Sequence, residues 1–146
     1  MKTKQELENN FHWWITCIPD RIESLKHLLP KDISSKLNFT LESLNVLGKF
    51  LVQNETLESI QSKKELWDCL ASYIGVVYEK NLDKAKWSME LEDDKNIYYG
   101  IPTLRTDVLT NFSPYNEITT MLDRKRPDYL FALTKRHIEL QIPKQN

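Results

Sequence analysis

A chain of 146 residues has the size of one ordinary domain, and folding at that length buries about two-thirds of the unfolded surface, so neither a disulfide nor a metal is needed to hold it together. With 40% hydrophobic and 28% charged residues, the composition excludes a disordered chain. Twenty basic against 21 acidic side chains leave a net charge of -1, which excludes the strong positive field of a typical nucleic-acid binder.

Residues 4–17 read as a helix, with Leu7, Phe11, Trp14, Ile15 and Ile18 on one face and Glu8, His12 and Thr16 on the other. Pro19 ends it and opens a second helix, about 20–29, which carries Ile22, Leu25, Leu28 and Leu29 and stops at Pro30. Thr40 caps a third, striped by Leu41, Leu44, Leu47 and Leu51. Ser62-Lys63-Lys64-Glu65 has the spacing of a capping box. It precedes a central helix over Leu66–Leu82 whose apolar residues cover most of the circumference, as expected of a helix packed on several sides. Gly75 costs that helix about 1 kcal/mol relative to alanine, and a close backbone crossing by another element would account for its presence.

The period then changes from 3.6 to 2. Trp87, Met89 and Leu91 alternate with Lys86, Ser88, Glu90 and Glu92, the pattern of a half-buried strand. Asp93-Asp94 supplies a turn, and Ile97-Tyr98-Tyr99 reads as the returning strand of a hairpin, ended by Gly100-Ile101-Pro102. A third strand fits Thr103–Leu109. Ser113-Pro114 starts a helix that ends near Arg124-Lys125-Arg126-Pro127, and a last helix spans about 128–141 with His137 in its apolar arc. The expected fold is α+β: a mainly helical single domain, 1–146, of six helices with a small antiparallel β-sheet inserted before the last two.

The N-terminal residues lack the apolar core of a signal peptide, and the longest apolar stretch, Leu66–Tyr78, is broken by Asp68 and Ser72, well short of the ~18 apolar residues a membrane span needs. A cytoplasmic protein without membrane partners is expected. Cys17 and Cys69 lie far apart in apolar surroundings and read as reduced thiols. Lysine outnumbers arginine 15 to 5, a bias associated with AT-rich bacterial genomes.

Gly48, Gly75 and Gly100 are isolated, which excludes the clustered glycines of a P-loop or a dinucleotide fingerprint. No His or Cys pair has metal-ligand spacing and no Gly-x-Ser-x-Gly elbow occurs, so no cofactor and no metal are expected. His137 reads as a packed, hydrogen-bonded core histidine. The alternative is a small hydrolase or transferase in which His137 activates Cys69, the one thiol on a comparably buried helix. Glu90 and Glu92 share one strand face beside Asp93 and Asp94, either as a solvated face or as a recognition surface for a basic partner. Arg124-Lys125-Arg126 is the only basic concentration, and three charges at a helix C-terminus favourably oppose the macrodipole. Trp13, at the edge of the first helix's stripe, and Tyr98, Tyr99 and Tyr115, near turns, are residue types that anchor interfaces.

The run Trp67, Tyr73-Ile74-Gly75-Val76-Val77-Tyr78, Trp87, Tyr99-Gly100-Ile101-Pro102 and Ser113-Pro114 resembles a layout in small uncharacterised bacterial proteins, some of them immunity-type partners of contact-dependent or secreted toxins. The similarity covers about residues 66–126 and carries no catalytic residue with it. It implies a non-catalytic, protein-binding module, and the near-neutral charge argues against an acidic mimic of nucleic acid. The expected partner is another protein, whether a toxin, a regulatory protein or a second copy of the chain. The expected contact residues are Trp13, Glu90, Glu92, Asp94 and Tyr98.

Overall fold

The segment expected to be covered on several sides is the longest helix of the computed structural model, which describes residues 2–142. The described elements are α1 (Lys4–Thr16), α2 (Ile18–Leu28), α3 (Lys31–Ser34), α4 (Ser43–Asn54), α5 (Leu57–Ser62), α6 (Lys64–Asn81), β1 (Lys86–Ser88), β2 (Thr103–Arg105), α7 (Pro114–Arg124) and α8 (Tyr129–Gln141). The fold is mainly helical α+β, with the two-stranded antiparallel sheet before the last two helices.

Helix α6 is the spine. Cys69 through Gly75, Val77 and Tyr78 are all buried, and α2 and α7 pack along it while the sheet lies near Gly75. Around it, Leu44, Leu47 and Leu51 of α4, Ile60 of α5, Ile118 and Met121 of α7, and Leu130 of α8 join one buried cluster. Tyr78 stacks on Phe112 with ring centroids 4.1 Å apart. Helix α7 begins as its sequence requires, with Ser113 Oγ accepting from the Asn116 amide and Pro114 in the first turn. It ends at Lys125, whose φ of 53° turns the chain sharply toward α8.

Several expectations are corrected. The capping box lies one element earlier than expected: Thr56 Oγ1 accepts from the Ser59 amide at 3.1 Å and Ser59 Oγ accepts from the Thr56 amide at 2.7 Å. Because Ile60 is buried, residues 57–62 form their own short helix. Ser62 therefore ends α5, donating to the Ser59 carbonyl, and α6 starts at Lys64, with Lys63 before it making no side-chain cap. Short helices α3 and α5 add to the six expected. Thr40 does accept from the Ser43 amide, but the regular helix begins only at Ser43.

The expected hairpin is not formed. β1 pairs instead with the third stretch, in the register Lys86↔Arg105, Trp87↔Leu104 and Ser88↔Thr103. Residues 94–98 make turns because Asp93 Oδ1 accepts from the Lys95 amide and Asn96 Oδ1 accepts from the Tyr98 amide, leaving only an isolated parallel bridge between Glu90 and Tyr99. Such local side-chain bonds compete with a ladder for the backbone amides. Ile97, assigned to the returning strand, is 76% exposed.

The glycines divide differently from expectation. At Gly75 it is the Trp87 side chain that approaches, and a Cβ there would fall inside the indole. The close backbone approach is at Gly48, where a Cβ would collide with the Pro127 carbonyl. Gly48 and Gly75 each admit a neighbour that alanine would push away.

Candidate functional site

Helix α1 has no fully buried residue. Its apolar stripe, Leu7, Phe11 and Trp14, is only half buried. The stripe faces a cleft of about 430 Å³ whose other walls are Met89, Ile101 and Pro102 from the segment between the strands, Trp67 of α6 and Tyr115 of α7. That volume lies in the range of ligand-binding pockets, roughly 300–1,000 Å³.

The polar atoms behind these walls satisfy one another. Trp14 Nε1 donates to Tyr115 Oη at 2.9 Å, and Tyr115 in turn donates to Asp68 Oδ1 at 2.8 Å. Trp67 Nε1 donates to the Tyr115 carbonyl at 3.2 Å. The Arg21 guanidinium lies 4.3 Å from the centre of the Trp14 ring, donates to Ser72 Oγ at 2.7 Å and also donates to the Trp14 carbonyl. Burial, with the Asp68 charge and hydrogen bond, pushes the Tyr115 phenol up, so its proton stays in place as a donor. Behind Trp14 the Trp87 ring packs edge-on at 4.9 Å, with its own N–H on Glu79 Oε1. The cleft therefore presents ring faces and aliphatic carbons, with no indole N–H left over. Asn10 and Asn116 add side-chain amides to its lining, and its two charged residues are Lys2 and Lys64.

None of the five residues expected to make contacts lines this cleft. Trp13 is 68% exposed, on the solvent side of α1. Glu90 is half buried: its carboxylate accepts from the Asp93 amide at 2.8 Å and its carbonyl from Gly100 at 2.9 Å, so it closes the turn. Glu92 pairs with Lys4, tying α1 to the segment after β1. The shared acidic face is corrected accordingly, because regular strand ends at Ser88 and the two carboxylates have separate internal partners. Asp94 is exposed, and Tyr98 is half buried in the turn.

Cys69 and His137 are not brought together. His137 Nδ1 lies 2.7 Å from Tyr78 Oη, and its ring packs edge-on against Tyr78 and Phe112. Cys69 sits ~13 Å of helical rise from Tyr78 along α6. Burial, followed by the charge of Glu65, raises the Cys69 thiol, which disfavours the nucleophilic thiolate. Burial lowers the His137 pKa and raises that of Tyr78, so a neutral imidazole accepts from the tyrosine hydroxyl. The basic run has structural contacts too: Arg124 and Arg126 lie over the Tyr129 ring, and Arg126 is 3.5 Å from Asp128.

The residues that sequence reasoning missed are Trp67, Met89, Ile101, Pro102 and Tyr115 as a common wall. The available signal was the apolar stripe on α1, whose spacing is also that of a core face. Among the described residues no His, Cys, Asp and Glu side chains group so as to hold a metal ion, and no helix is long and apolar enough to cross a membrane. In comparisons with known proteins the chain matches no family model, and no curated protein or solved structure is significantly similar to it.

Proposed function

We propose that the protein is a non-catalytic protein-binding domain and that the cleft between α1 and the segment joining the strands is where it receives its partner. The observation that supports this is the combination of open apolar walls with polar atoms that are already bonded to one another. Such a surface offers little to proton transfer or nucleophilic attack and much to apolar burial. One aromatic side chain seated there removes ~150–250 Å² from water, worth ~4–6 kcal/mol before ordering costs are subtracted. Tryptophan and tyrosine walls are also the residue types that concentrate binding energy at interfaces.

The resemblance of residues 66–126 to small bacterial proteins, some of them immunity-type, makes a toxin the first partner to test, with a regulatory protein the second. Asn10 is exposed at the cleft, so Asn10→Trp fills the opening without removing a core contact. A partner captured by the parent protein from its host lysate is expected to be lost from Asn10→Trp while the thermal midpoint is kept. Equal capture by both proteins would refute the cleft as the binding surface.

A further inference from the structure

The cleft has a charge asymmetry that the molecule as a whole lacks. The chain carries a net charge of -1, yet the cleft lining includes two lysines, Lys2 and Lys64, and no carboxylate. Three carboxylates of the surrounding segments are already engaged: Glu92 with Lys4, Asp68 with Tyr115, and Glu90 with the Asp93 amide. Among the described residues neither Lys2 nor Lys64 takes part in an ion pair. Lys64 stands between this cleft and a neighbouring depression that Glu55 and Glu65 line.

The position of Lys64 sharpens the point. It is the first residue of α6, the end of a helix where the macrodipole disfavours a cation. Its neighbour Lys63 pairs with Glu55 at 2.9 Å, whereas Lys64 is exposed and forms no ion pair among the described residues. Helix stability alone would favour an acidic residue there.

Building on the cleft as a protein-binding surface, we infer that its occupant is an acidic segment of the partner. A large apolar side chain of that segment sits between Phe11, Trp67 and Ile101, and flanking carboxylates face Lys2 and Lys64. Side-chain amides of Asn10 and Asn116 stand on the same walls to meet the segment's backbone. Charges at an exposed rim set specificity and encounter rate, and their effect is screened by salt.

The test uses short synthetic peptides with a central Trp, Phe or Leu, flanked by Asp and Glu, by Ser, or by Lys, titrated against the full chain. Trp14 and Trp67 line the cleft and report occupancy through their fluorescence. Acidic-flanked peptides are expected to bind about tenfold more tightly than Ser-flanked ones, with an affinity that falls as salt rises. The Lys2→Glu, Lys64→Glu double variant is expected to reverse the order, favouring Lys-flanked peptides, a reversal that misfolding cannot produce. Binding that ignores the flanks but is abolished by Asn10→Trp would overturn the acidic occupant and leave the cleft standing as a protein-binding surface. Fluorescence changes with dodecanoate but with no peptide would overturn both, placing a small amphipathic carboxylate in the cleft.

Discussion

A phenol and an imidazole on different helices show how single residues set the limits of this molecule. Tyr78 and His137 satisfy each other across α6 and α8, and the neutral imidazole is the form that fits among Tyr78 and Phe112. Its pKa is lowered from the ordinary 6.5 by burial. The unfolded chain therefore binds a proton at His137 more readily than the folded chain does. Stability from this residue is fully present above pH 6.5 and declines as pH falls from 6.5 toward the depressed folded value. Glu79 and Glu117, whose pKa values are raised by burial, work in the opposite sense, gaining stability on acidification. The His137 contribution should lower the thermal midpoint of the parent protein on mild acidification. For His137→Gln, which keeps an acceptor but does not titrate, the mild-acid part of that drop should disappear. A parallel pair of curves would mean that His137 carries no linkage.

At the scale of elements, the two glycines make contrasting demands on their helices. Alanine at either position recovers ~1 kcal/mol of helix propensity, but the added methyl collides. At Gly75 the obstacle is the Trp87 indole, a side chain that can shift, at the expense of its bond to Glu79 and its packing on Trp14. At Gly48 the obstacle is the Pro127 carbonyl, part of the tight connection into α8. Overpacking of this kind costs ~1–3 kcal/mol, and Gly48→Ala should be the more destabilising of the two in urea unfolding. Gly75→Ala should regain stability when combined with Trp87→Leu, and additivity of that pair would show that the indole is not the obstacle. The same positions show what was legible beforehand. Gly75 announced a close approach from within an apolar helix, but its partner's identity required knowing that Trp87 faces α6. The helices read from their period at 4–17, 20–29, 66–82, 114–124 and 128–141 correspond to those at 4–16, 18–28, 64–81, 114–124 and 129–141, and the expected cap holds at Ser113 but not at Ser62. The returning strand at 97–99 has no such counterpart, because Asp93 and Asn96 draw the backbone into turns whose strength alternation does not register. The cleft was hidden for a similar reason: the α1 stripe has the spacing of a core face, and periodicity cannot tell a face that is covered from one that is half open.

For the molecule as a whole, the contrast between α6 and α1 ties stability to function. The spine buries residues along most of its length, whereas α1 buries none completely. Helix α1 is held by Trp14, through its Tyr115 and Arg21 contacts, and at its far end by the exposed Lys4–Glu92 pair. Exposed ion pairs contribute little, and local opening takes place where buried contacts are few. Amide exchange should accordingly be fast in α1, fastest toward Lys4, and slow through residues 69–78 of α6. A ligand seated in the cleft covers Leu7 and Phe11 and adds the burial that α1 lacks. Saturation with an acidic-flanked peptide should slow exchange in α1 and in the segment around Ile101, leaving α4 and α8, on other parts of the core, unchanged. Slowing spread evenly over all helices would instead indicate global stabilisation by binding elsewhere. Unchanged α1 amides would mean that the half-open stripe is not where the peptide sits. A terminal helix anchored by one tryptophan can thus keep an apolar surface available without exposing the core behind it, since Trp14, Tyr115 and Asp68 close that boundary with hydrogen bonds of their own.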